Sequence, residues 1–251
     1  MRRSGKRHVS RSPLEDPRLR EAASWIAGRI CIANQPGRAM RAWRERFDLQ
    51  TSEVAEWMDV SPSVLTDYER GRRRSPGVQF VRRFAEALIA LDLEKYRGRH
   101  VRELVGVLGL TRAVLAIGEY VYPVTAQDVC DAVKGEFVAS EDRADVAVYG
   151  FTVIDSIQAI LTMSGYDYLL LFGRSLNRVV AFTKVGSGRS PLVAIRVFPI
   201  KAHPVVVLHG PEHVDRVAIR IAEAERVPLI LSKVGSVKEL IEAFQSLGKM
   251  P

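Results

Sequence analysis

The stretch VSPSVLTDYERGRRRSPG, residues 60–77, combines a short helix with a strongly basic turn. Ser61 and Pro62 are a helix start signal, because an N-cap serine accepts free backbone N–H groups and proline at the first helical position loses no hydrogen bond. Gly71 stands where the helix should end, since glycine adopts the left-handed conformation that terminates helices. The stretch therefore predicts a short helix followed by a cluster of arginines.

The residues on both sides of this stretch also have a helical pattern. Apolar side chains recur every three or four positions in segments bounded by Asp, Pro, Gly and Ser, which is typical of amphipathic helices. The pattern predicts five helices that begin near Pro17, Arg38, Thr51, Pro62 and Val78. It indicates an all-α bundle over residues 16–100.

Residues 51–68 resemble the helix-turn-helix of phage-repressor (xenobiotic-response-element) proteins. Ala55 stands where two helices pack too closely for a larger side chain, and Glu69-Arg70-Gly71 matches the exit of the second helix. Asp59 replaces the glycine that the family prefers, but aspartate tolerates a left-handed conformation. The apolar positions of the pattern hold Val54, Met58, Val60, Leu65 and Tyr68. The alternative interpretation is a pair of amphipathic helices in an unrelated bundle.

The resemblance implies that the N-terminal residues of the second helix, and one residue further along it, face the base edges. By position these are Ser61, Pro62, Ser63 and Asp67. None can form the paired hydrogen bonds of arginine with guanine or glutamine with adenine, each worth about 1–3 kcal/mol. The set therefore predicts weak sequence discrimination.

The sequence provides better candidates for contacts to phosphate than for contacts to bases. Thr51 begins the first helix of the pair, and the turn after the second helix provides Arg70, Arg72, Arg73 and Arg74. A basic, flexible tail is expected over residues 1–15, with Arg2, Arg3, Lys6 and Arg7 as candidates for minor-groove contacts. Phosphate contacts supply affinity without sequence information, so specificity would come from the tail, from a dimer's half-site spacing or from DNA shape.

The distribution of charge also indicates a polyanionic partner. Residues 1–100 contain 21 Lys and Arg against 13 Asp and Glu, whereas residues 101–251 contain 16 of each. All of the excess positive charge therefore lies in the first part of the chain. Two partners stay open: double-stranded DNA, or rRNA in a ribosome-associated factor, for which weak base readers are no handicap.

The second part of the chain predicts an α/β domain with a mixed, partly parallel sheet, over residues 111–251. A linker helix is expected over residues 101–110. The expected strands are 111–124, 146–150, 178–185, 192–198, 204–210 and 227–232, of which 178–185 and 192–198 would form a hairpin. The expected helices are 152–164, 212–226 and 236–247. The last strands and helices alternate, which predicts parallel pairing.

The combination of GRRRSPG with YGFTVIDSIQAIL, GRSPLVAIRV and VVLHG is similar to a group of archaeal predicted transcription regulators. In that group a repressor-type helix-turn-helix precedes a small α/β domain, so the resemblance implies an α+β two-domain, DNA-binding regulator. We expect the α/β domain to form a homodimer. Two linked helix-turn-helix domains that bind the same DNA together have a much higher affinity than one domain with weak contacts. The α/β domain is also the candidate domain for binding an effector.

The candidate effector is a small anion. Ser187, Arg189 and Ser190 belong to a Gly/Ser loop that is either an anion nest or simply a hairpin turn that needs glycine. His209 and Gly210 lie where a parallel strand leads into a helix, which is where open α/β sheets bind ligands. A lone histidine at such a place is more often structural.

The sequence predicts no metal site, no catalytic site and no membrane or secreted location. His209 and His213 are separated by glycine and proline, which prevents a helical turn from presenting both to a metal. Cys31 and Cys130 are isolated, which indicates a reducing, cytoplasmic compartment. No catalytic set or cofactor fingerprint occurs, so an enzyme is not expected. No apolar run reaches the ~18 residues of a membrane span, and no apolar segment follows the basic N-terminus as in a secretory signal.

Overall fold

The computed structural model describes residues 13–173, 177–197 and 204–248. The chain divides into two compact units, Met1–Leu108 and Gly109–Pro251. In the described residues, the first unit is built of helices and the second surrounds a six-stranded sheet, which confirms the α+β two-domain fold class. Within the same residues, no helix is both long and apolar enough to cross a membrane.

Six α-helices form the described part of the first unit. Asp16 caps the first helix by accepting a hydrogen bond from the N–H of Arg18, and Pro17 occupies its first position. Ile26 and Phe84 are fully buried in the core between the helices. The helices are α1 (Pro17–Cys31), α2 (Pro36–Arg46), α3 (Thr51–Trp57), α4 (Pro62–Glu69), α5 (Val78–Tyr96) and α6 (Arg99–Val107).

The segment expected to be a linker helix, residues 101–110, lies mostly in α6, which packs against α1 and α5. The buried carboxylate of Asp92 on α5 accepts hydrogen bonds from the N–H groups of His100 at 3.3 Å and Val101 at 2.9 Å. Its Oδ1 also lies 2.7 Å from Nδ1 of His100. These bonds fix the start of α6 to α5, and the division between the units falls after Leu108.

The sheet of the second unit is parallel in its centre and antiparallel at its edges. Its strands are β1 (Val114–Thr125), β2 (Glu136–Ala139), β3 (Ala147–Asp155), β4 (Val179–Thr183), β5 (Val205–Leu208) and β6 (Leu229–Leu231). Their order is β1-β3-β4-β5-β6-β2. The four inner strands are parallel, whereas β1 and β2 run antiparallel to their neighbours. The predicted mixed sheet, including the parallel pairing of β5 and β6, is confirmed.

Helices cover the sheet. They are α7 (Ala126–Ala132), α8 (Ser156–Thr162), α9 (Gly165–Gly173), α10 (Arg189–Val197), α11 (Arg216–Ala224) and α12 (Val237–Ser246). Val129 of α7 and Phe244 of α12 share one buried cluster with Phe151 and Val153 of β3. Because the inner strands are buried on both faces, β4 (VVAFT) and β5 (VVVL) are almost wholly apolar.

The helix predicted over residues 152–164 begins later than expected. Thr152 to Asp155 complete β3 and pair in parallel with β4, so that only Ser156–Thr162 is helical. Asp155 caps this helix by accepting hydrogen bonds from two backbone N–H groups, each at 3.0 Å. The sequence TVID fits both periodicities, and its pairing with β4 makes it a strand.

The hairpin predicted between residues 178 and 198 is wrong in its second half. The segment Arg189–Val197 is the helix α10, and β4 pairs with β5 instead. Pro191 lies in the first turn of α10, where its missing N–H breaks no helical bond. Leu192 is fully buried, whereas Phe198 lies outside the described residues. The Gly/Ser loop therefore joins a strand to a helix.

The sequence did not predict α7, α9 or β2. Thr125 and Asp128 start α7 with a capping box, in which each side chain accepts a hydrogen bond from the other residue's N–H. The short strand β2 pairs antiparallel with β6 and completes one edge of the sheet.

Candidate nucleic-acid interface

The turn between α3 and α4 requires a residue in the left-handed conformation. Asp59 has a φ of 54°, which confirms that aspartate fills the place where glycine is preferred. The N–H of Val60 donates to the carbonyl oxygen of Ala55 at 3.0 Å and closes the turn. Ala55 is fully buried, as expected where two helices approach most closely. The buried apolar positions of the pair also include Val54, Met58 and Leu65.

A buried ion pair holds α4 against α2. Arg44 donates from Nε and Nη2 to the two carboxylate oxygens of Glu69, at 2.7 and 2.8 Å. Its Nη1 donates to the carbonyl oxygen of Leu49 at 2.8 Å. The hydrogen bond to Glu69 raises the pKa of the Arg44 guanidinium above its ordinary value. Since a two-pronged pair fixes direction as well as distance, it sets the orientation of α4.

The start of α2 lies directly against the end of α4. A Cβ added at Gly37 would lie 1.7 Å from the carbonyl oxygen of Tyr68. No side chain fits in that space, so glycine is required by the close approach of the two backbones. Together with the Arg44–Glu69 pair, this contact leaves α4 little freedom to rotate or slide.

Three of the predicted base-facing residues, Ser61, Pro62 and Ser63, are exposed at the start of α4. The hydroxyl oxygens of Ser61 and Ser63 are 2.8 Å apart and hydrogen-bond to each other. The structure thus brings the two serines together. Single hydroxyl groups donate and accept without the geometry needed to distinguish bases strongly.

Asp67, the fourth predicted base-facing residue, is paired within the protein. Its Oδ1 accepts a hydrogen bond from Nη1 of Arg72 at 3.2 Å, and its carbonyl oxygen accepts one from the N–H of Arg73. The carboxylate therefore offsets one of the positive charges of the basic turn. It also links α4 to that turn.

The remaining arginines of the turn, Arg70, Arg73 and Arg74, are exposed and line one cleft. The guanidinium of Arg73 lies 5.7 Å from the ring centre of Tyr68. The Tyr68 ring in turn packs on Phe80 of α5, with 4.6 Å between ring centres. The basic turn is therefore supported by aromatic packing.

Thr51 is the first residue of α3 and is half-buried. Next to it, the Glu53 side chain accepts a hydrogen bond from the N–H of Gln50 and pairs with Lys95 of α5 at 2.6 Å. The start of α3 is thus fixed on α5. The predicted minor-groove residues Arg2, Arg3, Lys6 and Arg7 lie outside the described residues.

The residues predicted to bind an anion in the second unit already make hydrogen bonds within the protein. Arg189 Nη2 lies 2.6 Å from Oδ2 of Asp215, the N-cap of α11, and this bond lowers the pKa of Asp215. Asp215 also accepts a hydrogen bond from the N–H of Val217, and its own N–H donates to the carbonyl oxygen of Ser187. The helix that follows His209 and Gly210 is therefore capped by the carboxylate of Asp215, which also pairs with Arg189.

His209 and Gly210 follow β5 as predicted, but α11 begins only at Arg216. His209 is buried, and its Nδ1 lies 3.4 Å from the hydroxyl oxygen of Ser232, the residue after β6. Burial lowers the pKa of His209. Ser190, by contrast, is exposed at the start of α10.

Comparisons with known proteins agree with this architecture. Residues 36–95 match a family model described as a helix-turn-helix domain. Over 234 residues the chain is 39% identical to an uncharacterized HTH-type transcriptional regulator of Methanocaldococcus jannaschii, covering 91% of this chain and 95% of that protein. A protein of the same name from Archaeoglobus fulgidus is 39% identical over 231 residues, covering 90% and 97%. The chain belongs to this family of archaeal HTH-type transcriptional regulators. No solved structure matches it.

In this HTH-type regulator, the matched domain includes α2, which holds residues that the sequence analysis did not single out. Arg44 has the appearance of a solvent-exposed arginine in the sequence, and its partner Glu69 lies 25 residues away. Gly37 follows Pro36 at the start of a helix, which gives no sign of the contact with Tyr68. A glycine in the first turn of an otherwise well-formed helix was the one available signal.

Proposed function

We propose that this HTH-type regulator acts as a homodimer that binds duplex DNA through α4 and the basic turn after it, and thereby controls transcription. The observation that carries the proposal is the fixed position of α4 between two sets of exposed groups. The hydroxyls of Ser61 and Ser63 lie at one end, and the arginines of residues 70–74 follow the other. A helix in the major groove with phosphate contacts beside it is how helix-turn-helix domains bind.

In this proposal the contacts fall into two classes. Thr51 and the arginines of the turn bind phosphates, while Ser61, Pro62 and Ser63 face the bases. Asp67 positions Arg72 instead of reading cytosine, because the two are already paired. The basic residues Arg2, Arg3, Lys6 and Arg7 are proposed minor-groove contacts on the strength of their charge alone.

We assign dimerisation to the second unit. Ile157, Ile160 and Leu161 of α8 are 51%, 66% and 71% exposed, and Tyr166 of α9 and Val197 of α10 are 65% and 73% exposed. Ile160 also lines a small cavity shared by α8, α9 and α10, so these helices adjoin one another. Several large apolar side chains exposed on adjoining helices are typical of a protein interface.

Control by a small anionic effector is the further step of the proposal. An anion that binds Arg189 must compete with Asp215, because the two side chains are 2.6 Å apart. Such an effector would therefore change the contact between the Gly/Ser loop and the start of α11. This role is binding, with no catalytic step.

Selection from a pool of random duplex DNA by the full-length protein tests the proposal. We expect enrichment of a two-fold symmetric sequence whose half-sites are about one helical turn, roughly 34–36 Å, apart. Fragments of rRNA in a parallel selection test the alternative partner, which the hydroxyl-only set at Ser61 and Ser63 favours. Selective retention of rRNA without an enriched DNA sequence would replace DNA as the partner.

A further inference from the structure

A cleft of about 370 Å³ opens between the α1–α2 turn and the α4–α5 turn. Its charged walls are Arg38 on one side and Arg70, Arg73 and Arg74 on the other. Arg38 belongs to α2, outside the helix-turn-helix pair. It is therefore a basic residue that neither the sequence pattern nor the proposed contacts include.

Among the described residues, the arginines of this cleft have no acidic partners. In the residues that the structure describes, no carboxylate forms an ion pair with Arg38, Arg70 or Arg74. The three acidic residues of α2 and α4 pair with other arginines: Glu45 with Arg41, Asp67 with Arg72, and Glu69 with Arg44. Four positive charges around one cleft repel each other, and an anion between them would remove that repulsion.

The walls of the cleft are held at a fixed distance. The close approach of Gly37, which lines the cleft, to the Tyr68 carbonyl oxygen and the Arg44–Glu69 pair both join α2 to α4. Arg73 is supported by its contact with the Tyr68 ring. The guanidinium groups therefore project from a rigid base, which lowers the entropic cost of binding an anion between them.

We propose that this cleft binds one phosphate of the DNA backbone, with Arg38 as a phosphate ligand opposite Arg70, Arg73 and Arg74. The inference rests on the proposed function, because it takes duplex DNA as the partner. Guanidinium groups suit this ligand, since their forked donors match pairs of phosphate oxygens. Placing a phosphate here would position the strand that runs past the C-terminal end of α4.

The test compares Arg38→Ala with Arg82→Ala in the full-length protein. Arg82 is an exposed arginine of α5 that lines a different cleft, so the control removes the same charge. A random-sequence duplex is the probe, because a phosphate contact is independent of sequence. Removing one contact lowers the slope of log K against log salt by about 0.9, so raising salt from about 50 to 200 mM should weaken Arg38→Ala about 3.5-fold less than the parent. We expect Arg82→Ala to behave as the parent.

The outcomes separate this inference from the proposed function. If the parent binds duplex DNA and Arg70→Ala weakens that binding while Arg38→Ala does not, Arg38 is not a phosphate ligand and no phosphate is held between the two walls of the cleft, although the DNA-binding function stands. If the parent does not bind duplex DNA, both are overturned. A duplex RNA of equal length is the second probe, and a loss on Arg38→Ala with RNA alone would overturn the assignment to DNA. Unchanged thermal unfolding of Arg38→Ala excludes a folding defect.

Discussion

Arg44 and Glu69 form a buried, two-pronged ion pair that ties α2 to the last residue of α4. Their side chains are only 10% and 6% exposed. The pair lies next to the basic turn, so the position of α4 and the position of the arginines that follow it depend on the same two residues.

Removing only one partner of this ion pair should strongly lower the free energy of unfolding. Glu69→Ala leaves Arg44 buried without its charge partner, and we expect it to lower the free energy of unfolding by about 3–5 kcal/mol. Replacing both residues with apolar ones, Arg44→Met with Glu69→Leu, should cost less than the sum of the single changes. Tryptophan fluorescence during urea unfolding reports on the first unit alone, because Trp25, Trp43 and Trp57 all lie there. Additive costs would contradict the coupling.

Two helical glycines provide a matched test of the contact between α2 and α4. We expect Gly37→Ala to destabilise the first unit by about 1–3 kcal/mol, because its Cβ would overlap the Tyr68 carbonyl oxygen. In Gly28→Ala the new Cβ meets no atom within 4 Å, so alanine should stabilise α1 by about 0.5–1 kcal/mol. Urea unfolding measures both. Equal effects would show that the close approach is unimportant.

From the Asp67–Arg72 pair we predict that substituting Asp67 changes the affinity for DNA and not the preferred DNA sequence. Asp67→Ala should tighten binding to every duplex, because it frees Arg72 and removes a charge that repels phosphate. Arg72→Ala should weaken binding more in the Asp67→Ala background than in the parent. Titrations with several unrelated duplexes measure these changes. If Asp67→Ala changes the preferred sequence and leaves the average affinity unaltered, Asp67 is a base reader after all.

The exposed apolar residues of α8 should hold two copies together. We expect Leu161→Asp to convert the full-length protein from dimer to monomer, since a charge in a buried interface is strongly unfavourable. Ile32→Asp is the control, because Ile32 is 74% exposed but belongs to the first unit. Sedimentation velocity over a range of protein concentrations measures both. A parent protein that remains monomeric would remove the second unit as the dimerisation site.

An anionic effector that binds Arg189 must compete with the carboxylate of Asp215. Asp215→Asn keeps an N-cap side chain for α11 but removes the competing charge, since asparagine caps helices as well as aspartate. We expect inorganic phosphate to raise the unfolding temperature of Asp215→Asn more than that of the parent. Arg189→Ala combined with Asp215→Asn should abolish the gain. A gain that persists without Arg189 would place the anion elsewhere.

Local signals explain which features the sequence predicted. Ser61-Pro62, Asp59 and the spacing of apolar residues act within a few positions, so the helix-turn-helix could be predicted and was confirmed. The segment LVAIRV at residues 192–197 has the composition of a strand, yet it belongs to α10 and buries Leu192. The four residues of β2 are too few for a periodic signal, and they are a strand only because β6 lies beside them.

The residues of the candidate site also differ in whether the sequence predicts them. The arginines of the basic turn are visible in the sequence because they are consecutive. Arg38 and Arg44 come from another helix, and only the folded chain brings them to α4. Charge partners such as Asp67 for Arg72 and Asp215 for Arg189 could not be predicted, because side chains five and 26 residues apart meet through specific turns.

Both edges of the sheet have features that oppose joining to a strand of another molecule. β1 contains Pro123, which lacks a backbone donor, and its register with β3 shifts between Glu119 and Val124. β2 is only four residues long, and Glu136 there pairs with Lys233 at 2.9 Å. Short, irregular or charged edges resist strand-to-strand association. Both edges of this sheet therefore disfavour pairing with a strand of another copy, which protects the second unit from fibril-like growth.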